Sequence, residues 1–374
     1  MINGKIAVCL GACLVLKSVV SAQSNNSLPP NINTPVRIGV IPGISTQGKK
    51  DSITTSYFSL NLFGGMTGGI NGVELGHLFN INTKRMQGVQ YAGLFNITRG
   101  NVNGLQMAGM FNSDKSNLTG AQYGGLMNYV KGNVRGLQLA GLYNQVSGSV
   151  TGAQYAGICN YTGQSVKGLQ LAGIANINNK TTNGAQIAGI VNYTKHLKGF
   201  QLGLINIADT SSGYSIGLLN IVRKGYHKIA VSTNEVLNVN LAIKSGNAKL
   251  YNILMVGVNA GNDDKIFSYG YGIGHEMKMA KWFTVNPELT TQYLYLGNWN
   301  YINQLSRFQV LANFKLAKGI ALFAGPAFNV YYSDQPEAVK GYKFLVPDDS
   351  YNSFELWHSN VTGWVGWTAG ISFL

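Results

Sequence analysis

The chain has 374 residues, of which 48 are glycine and 20 tyrosine, and only 11% are charged, less than half the usual fraction of a soluble enzyme. Glycine at this frequency without a Gly-X-Y period, and with only eight prolines, excludes collagen and a disordered chain. Glycine together with abundant aromatics points to β-structure, and no catalytic signature stands out, so no enzyme and no cofactor are expected.

Residues 1–22 read as a secretory signal: Lys5, an apolar run over 6–16, then Val20-Ser21-Ala22 before Gln23, with cleavage after Ala22. Leu10-Gly11-Ala12-Cys13 makes a loose lipobox, but the apolar run continues past Cys13. Cleavage removes Cys9 and Cys13 and leaves Cys159 as the last cysteine, so the fold must hold without an internal disulfide. No other stretch reaches the ~18 apolar residues of a membrane helix, so any membrane passage must be made by strands. Without Lys5 and Lys17, 26 basic residues remain against 14 acidic, a formal charge of +12. The cations are scattered singly among turns, which argues against nucleic acid and for anionic lipid or polysaccharide.

Residues 23–35 read as a flexible segment and 36–71 as the first β-strands. Over 72–220 a 16-residue period begins with glycines at 72, 88, 104, 120, 136, 152, 168 and 184. The unit is G-x-Q-x-A-G-x-x-N, as in GLQLAGLYN (136–144). The first copy departs from it, with Glu74 in place of Gln and His77 in place of Gly. Copies at 88, 120, 152 and 184 carry Val or Ala second and usually Tyr fourth, whereas those at 104, 136 and 168 carry Leu second. This alternation gives a 32-residue superperiod, which an antiparallel meander produces. Within a copy, strict alternation places Leu137, Leu139, Gly141 and Tyr143 on one face and Gln138, Ala140, Leu142 and Asn144 on the other. Linkers such as 130–134 and 146–150 place turn residues between β-branched ones, as hairpins do.

From about residue 221 the repeat gives way to two-faced strands long enough to cross a bilayer. In 282–295, Phe283, Val285, Leu289 and Tyr293 oppose Thr284, Asn286, Glu288 and Gln292. In 307–316, Phe308, Val310 and Phe314 oppose Arg307, Gln309 and Asn313. Connections alternate short and long, and the last strand ends on the penultimate Phe373, close to the C-terminal signal read by barrel assembly machinery.

RIGVIPGIST (37–46), YFSLNLFGG (57–65), the G-x-Q-x-A-G-x-x-N array and GLLNIVRKGYHK (217–228) together resemble exported surface-repeat proteins of Bacteroidetes and spirochaetes. The resemblance implies an envelope location and a β-rich fold, and no particular activity.

The recurring polar chemistry is two amide columns: Gln90, Gln106, Gln122, Gln138, Gln154, Gln170 and Gln186, and Asn96, Asn112, Asn128, Asn144, Asn160, Asn176 and Asn192. They form hydrogen-bonded ladders or line a polar lumen. His275-Glu276 begins like H-E-x-x-H but reaches Met279, so no metal site is expected. Linkers after the Tyr-type copies carry Arg99, Lys131, Arg135, Lys167, Lys195 and Lys198 without an acid, whereas the others carry Lys84, Arg85, Lys115 and Lys180 with Asp114. In a meander the two sets would lie on opposite rims, one more basic than the other.

These features predict an all-β protein, an antiparallel up-and-down meander closing as an outer-membrane β-barrel with amides inward. The alternative is a β-solenoid or repeat sheet over 72–220 attached to a smaller barrel. Nineteen strands can be counted, with room for two within 226–243, and single-chain bacterial barrels are even-numbered. The expected location is the outer membrane, and the expected partners are its lipid, lipopolysaccharide or glycan. A passive channel or structural role is weighed against a surface adhesin.

Overall fold

The computed structural model describes residues 32–259, 264–356 and 358–373; the expected signal segment lies outside these residues. Their regular structure is β-strand apart from one 3-10 turn at Gly48–Ile53.

The repeats form a parallel stack, as in the solenoid alternative. In each coil a long strand such as Val134–Ala140 is followed by a short one, Tyr143–Val146. Val134–Ala140 pairs in parallel with Leu118–Gly124 before it and Val150–Ala156 after it, with Gln138 level with Gln122 and Gln154. The short strands pair likewise, Asn144 level with Asn128 and Asn160. The stack begins with Ile32–Ile41, whose first four residues lie inside the segment expected to be flexible and which runs on into the expected first strand; it pairs in parallel with Thr54–Asn61. It ends with Tyr214–Ile216 and Leu219–Val222.

Two sequence features hold this geometry. Gly136 has φ +133°, and a Cβ on it would lie 1.9 Å from the Gly120 carbonyl oxygen, so each coil can settle on the last only if this position lacks a side chain. The linker positions that resemble hairpin flanks, Val130 and Val134, are both buried in the core, so the chain crosses between sheets there instead of reversing within one. The 32-residue alternation reflects side-chain volume in a parallel stack: Ala121 beside Tyr123 alternates with Leu137 beside Leu139. The meander therefore does not extend through the repeats.

From Tyr226 the chain does form an antiparallel meander. Its eight long strands are Tyr226–Asn234, Val239–Asn247, Leu250–Asn259, Ile266–Gly274, Phe283–Tyr295, Asn303–Ala317, Ile320–Ser333 and His358–Phe373. The first two fill the stretch that had room for two. The first and last pair antiparallel, Ile229 with Phe373 and Asn234 with Thr368, and close the barrel.

The last coil of the solenoid docks on the outer wall of the barrel. Asn220 N–H donates to Asn252 Oδ1 (3.2 Å), Ser245 Oγ donates to Asn220 O (2.8 Å), and Tyr271 OH donates to Gly217 O (2.9 Å). Below them, Asn247 Nδ2 donates to Gly213 O (2.7 Å) and Lys249 Nζ to Ser212 O (3.1 Å). These contacts lie towards the barrel end that carries the tight turns 248–249 and 318–319; the connections 296–302 and 334–352 lie at the other end.

Candidate functional surfaces

Every amide predicted in the two columns is buried in the solenoid interior. In the asparagine column each side chain donates forward: Asn128 Nδ2 to Asn144 Oδ1 and Asn144 Nδ2 to Asn160 Oδ1, at 2.9 and 3.0 Å. Its second proton goes to a backbone carbonyl, as from Asn144 to Tyr155 O at 2.7 Å. The glutamine column donates backward, Gln138 Nε2 to Gln122 Oε1 at 2.9 Å and Gln154 Nε2 to Gln138 Oε1 at 2.8 Å. An amide has both a donor and an acceptor, so it can repeat indefinitely at one coil spacing with its polar atoms paired. The columns are thus internal to the solenoid and line no lumen.

The column ends account for residues that break the repeat. Glu74 accepts from Gln90 Nε2 (2.8 Å) and Asn61 Nδ2 (3.3 Å), and burial raises its carboxyl to about 7 against those hydrogen bonds and the nearby Arg37 charge. Arg37, fully buried, donates to both Asp51 carboxylate oxygens (2.9 and 2.8 Å), to Ser59 Oγ and to Asn61 Oδ1. Burial alone would raise Asp51, but Arg37 and the Ser45 hydroxyl outweigh it and hold the carboxyl below its ordinary value. This cluster caps the first coils. Composition gave no sign of it, although Arg37 in the otherwise apolar run 36–41 was available as a signal.

Asp114, counted from sequence among the linker charges, lies inside. It sits fully buried in a column otherwise filled by residues such as Thr98 and Val130, accepting from Gln106 Nε2 (3.2 Å) and Gln122 Nε2 (2.8 Å). Burial raises it to about 8, the two amides working in the opposite sense. From 72 to 198 both acidic residues, Glu74 and Asp114, are therefore interior, and the surface there bears cations only.

Those cations share one edge. Parallel coils bring every linker to the same side, so Arg99, Lys131, Arg135, Lys167, Lys195 and Lys198 line up with Lys84, Arg85, Lys115 and Lys180 instead of forming a second, poorer rim. The opposite edge, at the A-G-x-x turn, is apolar. Tyr91, Tyr123 and Tyr155 are about half exposed, and Ile158, Ile174 and Leu142 follow them around the turn; alternation puts Leu142 with the amides, but the strand breaks between Ala140 and Tyr143 and the turn carries it outward. Phe79, Phe95 and Phe111 stack beside them with ring centroids 5.1 and 5.0 Å apart.

The barrel encloses ion pairs and buried amides together with two apolar clusters, one around Leu294 and Tyr331 and one around Ile253 and Phe323, and its outer surface is apolar. Glu288 accepts from Tyr251 OH (2.7 Å), Gln309 Nε2 (2.9 Å) and Lys244 Nζ. Glu235 accepts from Arg307 Nη2 (3.3 Å), Asn329 Nδ2 (3.0 Å), Trp364 Nε1 (3.2 Å) and Trp367 N–H (3.0 Å). Val236, Leu237, Leu294, Tyr331 and Val346 close the lumen above Glu235. Outward, Ile243, Val256, Leu289 and Phe308 are each at least half exposed. His275 and Glu276 are engaged separately, by Lys249 O (2.8 Å) and Lys228 Nζ (2.9 Å).

Comparison of the chain with protein families, with curated proteins and with solved structures found no match.

Proposed function

We propose that this is an exported envelope protein of the surface-repeat type, whose eight-stranded barrel is a membrane anchor that holds the solenoid at the membrane. The observation that carries this reading is the polarity of the barrel: buried Lys244, Glu288 and Arg307 within, and Val256, Leu289 and Phe308 without. Water-soluble barrels have the reverse arrangement, because exposed apolar area is unfavourable by roughly 25 cal/mol per Å². Aromatic clusters flank this belt, Trp282, Phe283 and Phe314 at one end and Tyr293, Tyr295 and Trp299 at the other. Strand Phe283–Tyr295 joins them with 13 residues. At the usual rise and tilt such a strand spans about 30 Å, comparable to a bilayer core.

Of the two structural roles, the filled lumen favours an anchor over an open channel, as is usual for eight strands. No helix among the described residues is long and apolar enough to cross a membrane. Short turns face the periplasm in outer-membrane barrels, which puts the solenoid on that side. Assembly then calls for barrel assembly machinery, with His358–Phe373 as the strand presented. The test is membrane fractionation with heat-modifiable gel migration of the parent and of Leu289→Arg. A lipid-facing Arg is unfavourable by about 2 to 4 kcal/mol, so the variant should fail to assemble; a soluble parent, or a variant that assembles normally, opposes the reading. Planar-bilayer recordings should show no stable conductance steps.

A binding role is favoured by one further observation, the ten cations on a single solenoid edge with no acid among them. Spaced by coils ~4.8 Å apart, they match an extended anionic polysaccharide or a phosphorylated polymer on the solenoid's side of the membrane. Neutralising Arg99, Lys131, Arg135, Lys167, Lys195 and Lys198 should weaken heparin retention most at low salt. Unchanged retention opposes this role.

A further inference from the structure

The apolar edge of the solenoid is a surface that neither the barrel nor the ladders use. Its fourth-position column runs from Tyr91 through Tyr123 and Tyr155 to Ile216, one residue per coil for nine coils, about 40 Å at the inter-strand spacing. The neighbouring Leu142 column, with Leu126, Ile158, Ile174 and Ile190 each at least 40% exposed, widens it into a continuous apolar strip of the kind that marks an interaction surface.

The docking contacts fix which way this edge points. Along the barrel wall the tight turn at 248–249 meets Ser212 and Gly213, on the linker edge of the last coil. One step higher, Ser245 and Asn252 meet Asn220. Higher still, Tyr271, level with Leu254, meets Gly217 at the A-G-x-x turn. Immediately above stand Val256 and Tyr269, both more than half exposed in the apolar belt of the barrel. The apolar edge therefore continues the lipid-facing wall, and the cationic edge, about 20 Å away across a seven-residue strand, lies at the level of the turns.

We infer that the solenoid lies along the membrane with its Tyr/Leu edge sunk into the phospholipid leaflet on the tight-turn side. This rests on the barrel being a membrane anchor. Tyrosine suits the position, its ring among acyl chains and its hydroxyl at the headgroups. The cationic edge then faces away from the bilayer, free for a soluble polyanion. The 16-residue unit accordingly has two outward specifications, an apolar A-G-x-x turn and a basic linker, around an amide core.

The test places single cysteines carrying an environment-sensitive fluorophore at Tyr123, Lys131 or Val256, in the chain without residues 1–22 and with Cys159→Ala. Each protein is reconstituted in phosphatidylethanolamine/phosphatidylglycerol vesicles with or without acyl chains brominated near the headgroup. The expected result is loss of fluorescence at Tyr123→Cys and Val256→Cys and none at Lys131→Cys. Quenching at Val256→Cys without quenching at Tyr123→Cys overturns the inference and leaves the anchor intact. Quenching at Lys131→Cys overturns it as well, since the wrong edge would face lipid. No quenching at any position removes the anchor and the inference with it. Disulfide-linked dimers of unlabelled Tyr123→Cys would show a second copy covering the edge, and would also overturn it.

Discussion

Gln90 Nε2 donates to Glu74 Oε2 at 2.8 Å, which makes the first acidic residue of the repeat region the terminus of the glutamine ladder. Because that column donates towards its N-terminal end, its first member needs only to accept, and a carboxylate supplies acceptors alone. Glu74→Gln should therefore be tolerated, whereas Glu74→Ala leaves the Gln90 amide unpaired in the interior, a loss of about 1 to 3 kcal/mol. Urea titrations followed by circular dichroism distinguish the two; equal losses would refute the ladder-end role.

Asp114 makes the solenoid sensitive to alkali. Its folded pKa of about 8 lies above the ordinary 3.8, so the folded state holds a proton that the unfolded chain gives up. The associated stability is fully present below pH 3.8 and is lost as pH rises through about 8. Asp114→Asn should remove this dependence and melt above the parent at pH 8 to 9, with no such advantage near pH 4. Parallel melting curves across that window would contradict the assignment.

The amide ladder should be intolerant of apolar substitution at its middle. Gln138→Leu removes the acceptor of Gln154 Nε2 and the donor to Gln122 Oε1, and a buried amide without a partner costs about 1 to 3 kcal/mol. The exposed Gln164→Ala is the control and should leave the urea midpoint unchanged.

Gly136→Ala should be more damaging than its size suggests. The φ of +133° strains any L side chain, and the added Cβ would stand 1.9 Å from Gly120 O, so neighbouring coils must part. In a stack held by nearest-neighbour contacts, such a break should split one unfolding transition into two. Calorimetry showing a single, unshifted transition would count against this account.

In the barrel, Glu235→Gln keeps the shape but strands the Arg307 guanidinium in the lumen. Removing one partner of a buried pair typically costs about 3 to 5 kcal/mol. The temperature at which the folded gel band converts to the unfolded one should drop well below that of Gln304→Ala, an exposed position on the strand that carries Arg307.

The sequence alone determined which side chains share a face within a strand, though not at the A-G-x-x turn, where Leu142 leaves the amide face. Alternation in G-x-Q-x-A-G-x-x-N assigns Gln138 and Asn144 to one face and Leu139 and Tyr143 to the other under any strand pairing, because side-chain period is a property of the extended backbone. The same holds for Leu289 against Glu288 in the barrel. Strand direction was a different matter. A parallel coil and an antiparallel meander share this alternation, and linkers such as 130–134 can serve either. Only the hydrogen bonds between residues 16 apart, with Gly136 resting on Gly120, decide for the coil. That decision moved the second linker set onto the edge of the first, drew Asp114 into the core, and pointed the tyrosine edge up the barrel wall. Each depends on where distant segments come to lie, which local periodicity does not encode.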